Sequence, residues 1–229
     1  NKIVAILDKA RALVEKRQQS IDLLNELLRA KFLEMFGSKN PEFNQWDDIE
    51  IQNYALDKRA AMRTGPFGSS LKHDEFTEDG EVAVLGIDNA VKNEFRWDKK
   101  RFITNQRYNE SFKRYTVFSR DVIITIMGTV GRSAVIPENI PLAINTKHLA
   151  CITLDESKCN PYYLAYSIHS NPFIALQMKA RNRGAIMQGL NLEIIKSLKL
   201  KNAPISLQNK FENIYNSIRI KKNRLEVSF

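Results

Sequence analysis

The chain has 229 residues, 43% of them apolar, and a formal net charge of +9 at pH 7. This apolar fraction supports a folded core and excludes a disordered chain, and no apolar run approaches the ~20 residues of a membrane-spanning helix. No signal peptide is visible. Cys151 and Cys159 are isolated and the three histidines are far apart, so the sequence predicts a cytoplasmic protein with reduced cysteines and no metal site.

Residues 1–36 predict one long helix, because neither Gly nor Pro occurs before Gly37. Apolar residues recur every seven positions along one face, a pattern typical of coiled coils. At 1.5 Å per residue the helix would be roughly 50 Å long, and it needs a partner helix to bury its apolar face. The alternative is an ordinary long helix that lies on its own domain. The predicted helix-pairing residues are Leu7, Val14, Ile21, Leu24 and Leu28.

Residues 37–45 predict a polar linker, and residues 46–204 predict a globular domain that mixes strands and helices. With the flanking helices, this mixture predicts an α+β fold with mixed strands. Strands are expected where β-branched residues concentrate. The predicted strands are 81–87, 115–118, 121–127, 133–136, 148–154 and 197–201.

Gly and Pro mark the turns of this domain. Gly128 and Gly131 predict a turn between two strands, and a polar Gly-containing turn is expected at residues 181–189. A helical pattern begins at Pro161, and the pair Asn171-Pro172 divides it into two helices.

Residues 205–229 predict the start of a second long helix. Phe211, Ile218 and Leu225 are seven positions apart and are the predicted helix-pairing residues of this segment. A chain that leaves the domain through one helix and returns through the other would pack the two antiparallel. The alternative is that the same surfaces pair two copies of the chain about a two-fold axis.

The positive charge predicts a polyanionic partner, most often a nucleic acid. The alternative is a protein that is merely basic. The loop GPFGSSLK, residues 65–72, offers hydroxyl groups and a lysine that could bind phosphate oxygens. For any single residue the alternative to nucleic-acid contact is a solvated surface side chain. The candidate nucleic-acid-binding residues are Ser69, Ser70, Lys72, Arg101, Asn105, Arg107, Arg132, Lys147, Arg181, Arg183 and Gln188.

Six features occur in a fixed order: GPFGSSLK, VLGI, DVIITIMGTVGR, INTKHLACI, RGAIMQGLNLEIIKSLKL, and Pro-x-x-x-Gln at the start of a helix. In this order they resemble the DNA specificity (S) subunit of type I restriction-modification systems. The resemblance covers residues 46–208 as a target recognition domain, and the two long helices resemble the spacer regions of that family. The sequence departs from the family at Arg120, where a Gly usually precedes the Asp, and it contains one recognition domain where the family has two.

The resemblance implies that the chain reads one half of a bipartite target in double-stranded DNA and contributes no catalysis. Its helices would dock two methyltransferase (modification) subunits, which carry S-adenosylmethionine, and the enzyme would include restriction subunits that use ATP and Mg²⁺. No cofactor is expected in this chain. The run Asn160-Pro161-Tyr162-Tyr163 lacks the second Pro of the methyltransferase motif NPPY, and no Gly-rich cofactor loop precedes it.

Two other function classes remain open. The chain could be the recognition domain of a fused single-chain restriction-methylation enzyme, which a catalytic domain encoded upstream would indicate. It could also be a non-catalytic coiled-coil scaffold whose basic surface is incidental. Salt-dependent binding to duplex DNA would distinguish the scaffold from both DNA-reading classes.

Overall fold

The computed structural model describes residues 2–67, 70–181 and 190–226, and it confirms the α+β class. The α-helices are α1 (Lys2–Phe36), α2 (Asn105–Arg107), α3 (Pro161–Ser170), α4 (Pro172–Arg181), α5 (Leu192–Ser197) and α6 (Ile205–Glu226). The strands are β1 (Asp48–Glu50), β2 (Met62–Thr64), β3 (Val82–Leu85), β4 (Phe102–Ile103), β5 (Thr116–Val117), β6 (Val122–Thr125), β7 (Ser133–Val135), β8 (Ala143–Asn145), β9 (Leu149–Ile152) and β10 (Lys199–Lys201). Among the described helices, none has the length and apolar character needed to cross a membrane.

The described strands form two four-stranded sheets and a two-stranded ribbon. One sheet has the order β2-β9-β6-β7 and is antiparallel throughout. The other has the order β4-β3-β8-β5, in which only β3 and β8 are parallel. In the ribbon, β1 pairs with β10 and Asp48 lies opposite Lys201. The chain therefore enters and leaves the domain side by side, which makes α1 and α6 neighbours.

The β-branched segments predicted as strands are confirmed as β3, β5, β6, β7, β9 and β10. The predicted turn joins β6 to β7, and its Gly128 and Gly131 have φ angles of +69° and +78°, which glycine adopts without steric strain. The helix division is also confirmed: the side-chain oxygen of Asn171 accepts a hydrogen bond from Phe173 N at 3.0 Å, between α3 and α4. The sequence missed β1, β2, β4 and β8, whose length of two or three residues is too short to show alternation.

α1 and α6 run antiparallel. Near the domain, the ring of Phe211 lies 5.2 Å from Phe32 and 5.8 Å from Phe36, measured between centroids. Further out, Leu27 of α1 and Ile218 of α6 line the same groove between the helices. Going outward from the domain, residue numbers therefore decrease along α1 and increase along α6.

The described part of α6 covers only the C-terminal half of α1. Among the described residues, the burial predicted from Leu7 to Met35 is found only in that half, because the described part of α6 has 22 residues and α1 has 35. The exposed fractions of Leu7 and Val14 are 62% and 46%, whereas Leu28 is 6% exposed. Of the other predicted pairing residues, Ile21, Leu24 and Leu225 are half-buried and Phe211 and Ile218 are buried.

The C-terminal half of α1 and the face of α6 that packs against it belong to the main core of the domain. Tyr163 of α3 is fully buried, with its ring 4.5 Å from Phe36 and its hydroxyl donating to the carbonyl oxygen of Lys201 at 2.8 Å. Phe32 packs on the same ring, at 6.3 Å. The C-terminal half of α1 therefore lies on its own domain, while its N-terminal half projects beyond it.

Residues 37–45, predicted as a polar linker, form a series of turns that stay on the domain. The amide of Asn40 donates to the carbonyl oxygen of Met35 at 2.6 Å, and its oxygen accepts from Glu42 N at 2.8 Å. The ring of Phe43 lies 6.4 Å from that of Trp46. These contacts fix the path of the chain from α1 into β1.

Arg120 lies in the turn between β5 and β6 with a φ of +63°, in the left-handed region that favours glycine. Its Nε donates to both carboxylate oxygens of Glu156, at 3.0 and 2.8 Å. Its Nη1 and Nη2 donate to Glu212 of α6, at 2.7 and 3.1 Å. These ion pairs offset the backbone strain, so an arginine occupies a turn position where the resembling family usually has glycine.

The burial of His169, near the end of α3, indicates that the free energy of unfolding depends on pH. Its Nδ1 lies 3.0 Å from the hydroxyl of Ser133, and burial lowers the pKa of the imidazole from 6.5 to about 4. In the unfolded chain the group would protonate near its ordinary pKa. The stabilisation is therefore fully present above about pH 6.5 and is lost as the pH falls towards 4, at about 1.4 kcal/mol per pH unit.

We expect the free energy of unfolding to drop by about 2 kcal/mol between pH 6.5 and pH 5 through this residue alone. The measurement is urea denaturation across that range, with His169→Gln as the control that keeps a polar side chain and removes the titrating group. A wild type and control with the same pH dependence would contradict the assignment.

Candidate nucleic-acid interface

Of the predicted loop, residues 65–67 and 70–72 are described, and they lie between two clefts, because Pro66 lines both of them. The loop follows β2 and passes against the end of β8. A Cβ atom at Gly65 would lie 2.1 Å from the carbonyl oxygen of Asn145, so only glycine permits this approach. The close contact brings the loop beside residues 146–148, which follow β8.

The first cleft, which we call the Lys72 cleft, has a volume of about 570 Å³. It brings together three of the predicted DNA-binding residues from distant parts of the sequence. Lys72 belongs to the loop, Arg101 precedes β4, and Lys147 lies between β8 and β9. Gly86, Ile87 and Thr146 complete the part of the wall that lies around these cations.

The three cations of the Lys72 cleft differ in how they are held. Among the residues that the structure describes, the side chains of Lys72 and Lys147 have no ion-pair partner. Arg101 donates from Nη2 to Oδ1 of Asp88 at 2.6 Å. Two ammonium groups without an ion-pair partner among the described residues and one ion-paired guanidinium therefore share the cleft.

The second cleft, which we call the Arg107 cleft, contains Ser70 and Arg107. The donors of Arg107 are already engaged: Nε donates to Glu75 at 2.7 Å and Nη2 donates to the carbonyl oxygen of Ser70 at 2.8 Å. Nη1 donates to the hydroxyl of Ser111 at 3.3 Å. The hydrogen bond from Arg107 lowers the pKa of Glu75 and keeps it ionised. Arg107 is thus placed to hold Ser70 and Glu75 in position.

Two cations of the Arg107 cleft were not selected from the sequence. Lys113 and Arg114 are exposed and line the cleft just before β5, and the guanidinium of Arg114 lies 4.7 Å from the ring centroid of Tyr115. Phe67 was also missed, although it is 58% exposed in the loop itself. The sequence signal for the cations was available, because two consecutive cations precede a predicted strand.

Arg132, Asn105 and Arg181 lie outside the lining of both clefts. Arg132 is exposed and follows the Gly128–Gly131 turn, which lies beside the Lys72 cleft because a Cβ at Gly128 would be 3.2 Å from Ile87 Cδ1. Asn105 begins α2 and is exposed. Arg181 ends α4 and donates to the carbonyl oxygen of Ser197 at 2.9 Å. The predicted candidates Ser69, Arg183 and Gln188 lie outside the described residues.

Neither cysteine lines either cleft. Cys151 and Cys159 are fully buried, and burial raises the pKa of both thiols, which makes them weak nucleophiles at neutral pH. Within the described ranges, no group of three His, Cys, Asp or Glu side chains could hold a metal ion. The residues that line the clefts carry cations and hydroxyl groups, which are groups that contact phosphates and base edges.

Comparison with known proteins places this arrangement in a family. Residues 67–226 match the family model described as the type I restriction modification DNA specificity domain. No curated protein sequence matches the chain.

Solved structures share the fold at low identity. The S subunit of a type I restriction-modification system from M. genitalium is 16% identical with a TM-score of 0.60, and the match covers 98% of this chain and 55% of that one. The HsdS subunit from Thermoanaerobacter tengcongensis is 13% identical with a TM-score of 0.54, covering 98% and 50%. A chain from a study of type I R-M complex assembly is 13% identical with a TM-score of 0.61, covering 98% and 52%. This chain thus spans about half the length of these structures.

Proposed function

Because the chain belongs to the type I restriction-modification DNA specificity family, we propose that it binds double-stranded DNA and recognises a sequence in it. The observation that carries the proposal is the Lys72 cleft, where Lys72, Arg101 and Lys147 converge from three separate segments. A folded domain that directs several cations into one cleft can hold a phosphate backbone and reach base edges at the same time.

The two kinds of cation suit two kinds of contact. The ammonium groups of Lys72 and Lys147 are flexible point charges, which are suited to phosphates that vary in position. Arg132 is exposed and follows the Gly128–Gly131 turn, and we assign it to the same basic surface. Phosphate contacts of this kind set the register of the protein on the duplex, and they supply affinity that does not depend on sequence.

We propose further that the chain reads one half of a bipartite target and takes no part in catalysis. The projecting half of α1, with Leu7 and Val14 exposed, supports docking of helices from other subunits. The proposed partners are two methyltransferase subunits and the restriction subunits, and self-association through the same helices is compatible with that surface. S-adenosylmethionine, ATP and Mg²⁺ would belong to those partner subunits.

The test of the proposal is the salt dependence of binding to duplex DNA. Release of counterions from about five phosphates gives a slope near −4 to −5 in a plot of log affinity against log salt concentration. The purified chain is titrated into a labelled duplex library at a series of salt concentrations. Affinity that stays the same from low to high salt would reject DNA binding and favour the scaffold alternative.

Lys147→Ala is expected to weaken binding to all duplexes alike and to reduce the magnitude of the salt slope by about 1, because it removes one phosphate contact. Arg132→Ala is measured in parallel. Lys39→Ala is the matched control, because Lys39 is exposed and lies outside both clefts. A loss of discrimination at one base pair, with the slope unchanged, would instead assign Lys147 to a base.

A further inference from the structure

The guanidinium of Arg101 lies directly on the backbone of Gly86 at the wall of the Lys72 cleft. A Cβ atom at Gly86 would be 2.7 Å from Arg101 Nη2 and 3.3 Å from Arg101 Cζ. Gly86 has an extended backbone, with φ −129° and ψ −169°, that any residue can adopt. Glycine at residue 86 is therefore required by the close approach of the guanidinium, and it is not required by the backbone conformation.

Asp88 fixes the orientation of the guanidinium. Its Oδ1 accepts from Arg101 Nη2 at 2.6 Å, and both side chains are 23% exposed. Nε of Arg101 and Oδ2 of Asp88 are buried without a hydrogen-bond partner among the described residues. The side of the guanidinium that carries Nε is therefore turned into the protein. Nη1 and the second hydrogen of Nη2 have no hydrogen-bond partner among the described residues, and together they can act as two parallel donors.

The ion pair is not needed to hold the two segments together. The side-chain oxygen of Asn89 accepts from Gly86 N at 2.8 Å, and its amide donates to the carbonyl oxygen of Arg96 at 2.7 Å. Val84 N also donates to the carbonyl oxygen of Arg101 at 2.8 Å. The backbone around Arg101 is thus already fixed. Other contacts hold the backbone, and Asp88 contributes the orientation of the Arg101 side chain.

The ion pair with Asp88 also makes the local charge around Arg101 different from that around Lys72 and Lys147. A carboxylate 2.6 Å away offsets the positive charge of the guanidinium and repels phosphate oxygens, yet it leaves the free N–H groups as donors. Among the described residues, no carboxylate forms an ion pair with the side chain of Lys72 or Lys147. Within one cleft, the lysines thus suit phosphates and the arginine suits a neutral acceptor.

On this geometry we propose that Arg101 recognises a guanine in the target, and that Asp88 is its positioning residue. Guanine presents two acceptors, O6 and N7, on its major-groove edge, at the spacing of an arginine fork. A guanidinium whose orientation is fixed before binding loses little conformational entropy when it forms the pair. The inference rests on the proposed sequence recognition and adds to it one base and the residues that select that base.

The experiment is selection from a duplex library with a randomised segment, at low salt, using the full chain. Three variants test the geometry. Arg101→Lys keeps the charge and removes the fork, Asp88→Asn removes the orienting charge, and Gly86→Ala displaces the guanidinium through its new Cβ. Lys72→Gln, in the same cleft, is the matched control. Asp88→Glu should restore part of the discrimination if orientation is the role of Asp88.

The wild type is expected to select a motif that contains a G·C pair. Each of the three variants should lose roughly 5- to 150-fold discrimination at that one position. The salt slope of Arg101→Lys should not change, and Asp88→Asn should bind non-target DNA no more weakly than the wild type. Lys72→Gln should instead lower affinity for every sequence. Thermal unfolding of Gly86→Ala near that of the wild type separates loss of recognition from loss of folding.

The outcomes distinguish this inference from the proposal on which it rests. A wild type that selects no motif at all overturns both. A selected motif without a G·C pair, or one that Arg101→Lys leaves unchanged, overturns the guanine assignment and leaves DNA recognition standing. A uniform loss of affinity in Arg101→Lys and Gly86→Ala overturns it as well, and assigns Arg101 to a phosphate.

Discussion

Asp121→Ala is expected to lower the free energy of unfolding by about 3–5 kcal/mol. Asp121 is 1% exposed, and its Oδ2 accepts from Arg63 Nη2 at 2.6 Å and from Phe118 N at 2.9 Å. Arg63 is itself only 6% exposed. Without the carboxylate, the guanidinium would remain as a buried charge with no counterion, and Phe118 N would lose its acceptor.

The measurement for Asp121→Ala is urea denaturation at neutral pH. Glu34→Ala is the control, because Glu34 is 66% exposed and its ion pair with Lys31 should contribute less than about 1 kcal/mol. The double variant Arg63→Met, Asp121→Ala should recover part of the lost stability, since it removes the buried charge together with its partner. A single variant that unfolds at the wild-type urea concentration would show that Asp121 does not stabilise the fold.

Phe32→Ala is expected to cost about 3–5 kcal/mol, in contrast to a loss near zero for Leu7→Ala on the same helix. Phe32 is fully buried, and its ring contacts Tyr166 at 4.8 Å and Phe211 at 5.2 Å. Truncation would leave a cavity among aromatic rings of three helices. Leu7 is 62% exposed, so its truncation removes little buried surface.

The test follows unfolding of Phe32→Ala by helix content and by the fluorescence of Trp46, whose ring lies 6.4 Å from Phe36. The two signals should shift together, because the C-terminal half of α1 belongs to the core of the domain. A loss of helix signal before any change in Trp46 fluorescence would mean that α1 melts as an independent arm. Leu7→Ala supplies the baseline for both signals.

The sequence predicted those elements whose signal is local. Strands such as β6 are buried along their whole length and rich in β-branched residues, and the Gly128–Gly131 turn has the glycines that its φ angles require. The extent of helix burial was not predictable in the same way. Periodicity shows that a face of α1 is apolar, but the residue at which its cover ends depends on the length of α6 and on the ribbon that places the helices together.

For the same reason, the sequence predicted only part of the candidate site. Residue type and loop position were enough to select Lys72, Arg101 and Lys147, which the fold brings to one cleft. Whether a cation is available could not be predicted, because its partner is distant in sequence. Glu75, which engages Arg107, is 32 residues away, and nothing in the local sequence links the two. The consequence of Gly86 for Arg101 likewise appears only once the two segments pack.

The ion pairs of α6 have a mechanical consequence. Glu212, near the start of the helix, is held by Arg120, and Glu226, at its end, is held by Arg96 at 3.2 Å. The two attachments lie about 21 Å apart along the axis. A helix attached at one point could pivot about that point, whereas attachment at two points opposes this motion. The two ion pairs therefore restrain the angle between α6 and the segments of the domain that carry Arg96 and Arg120.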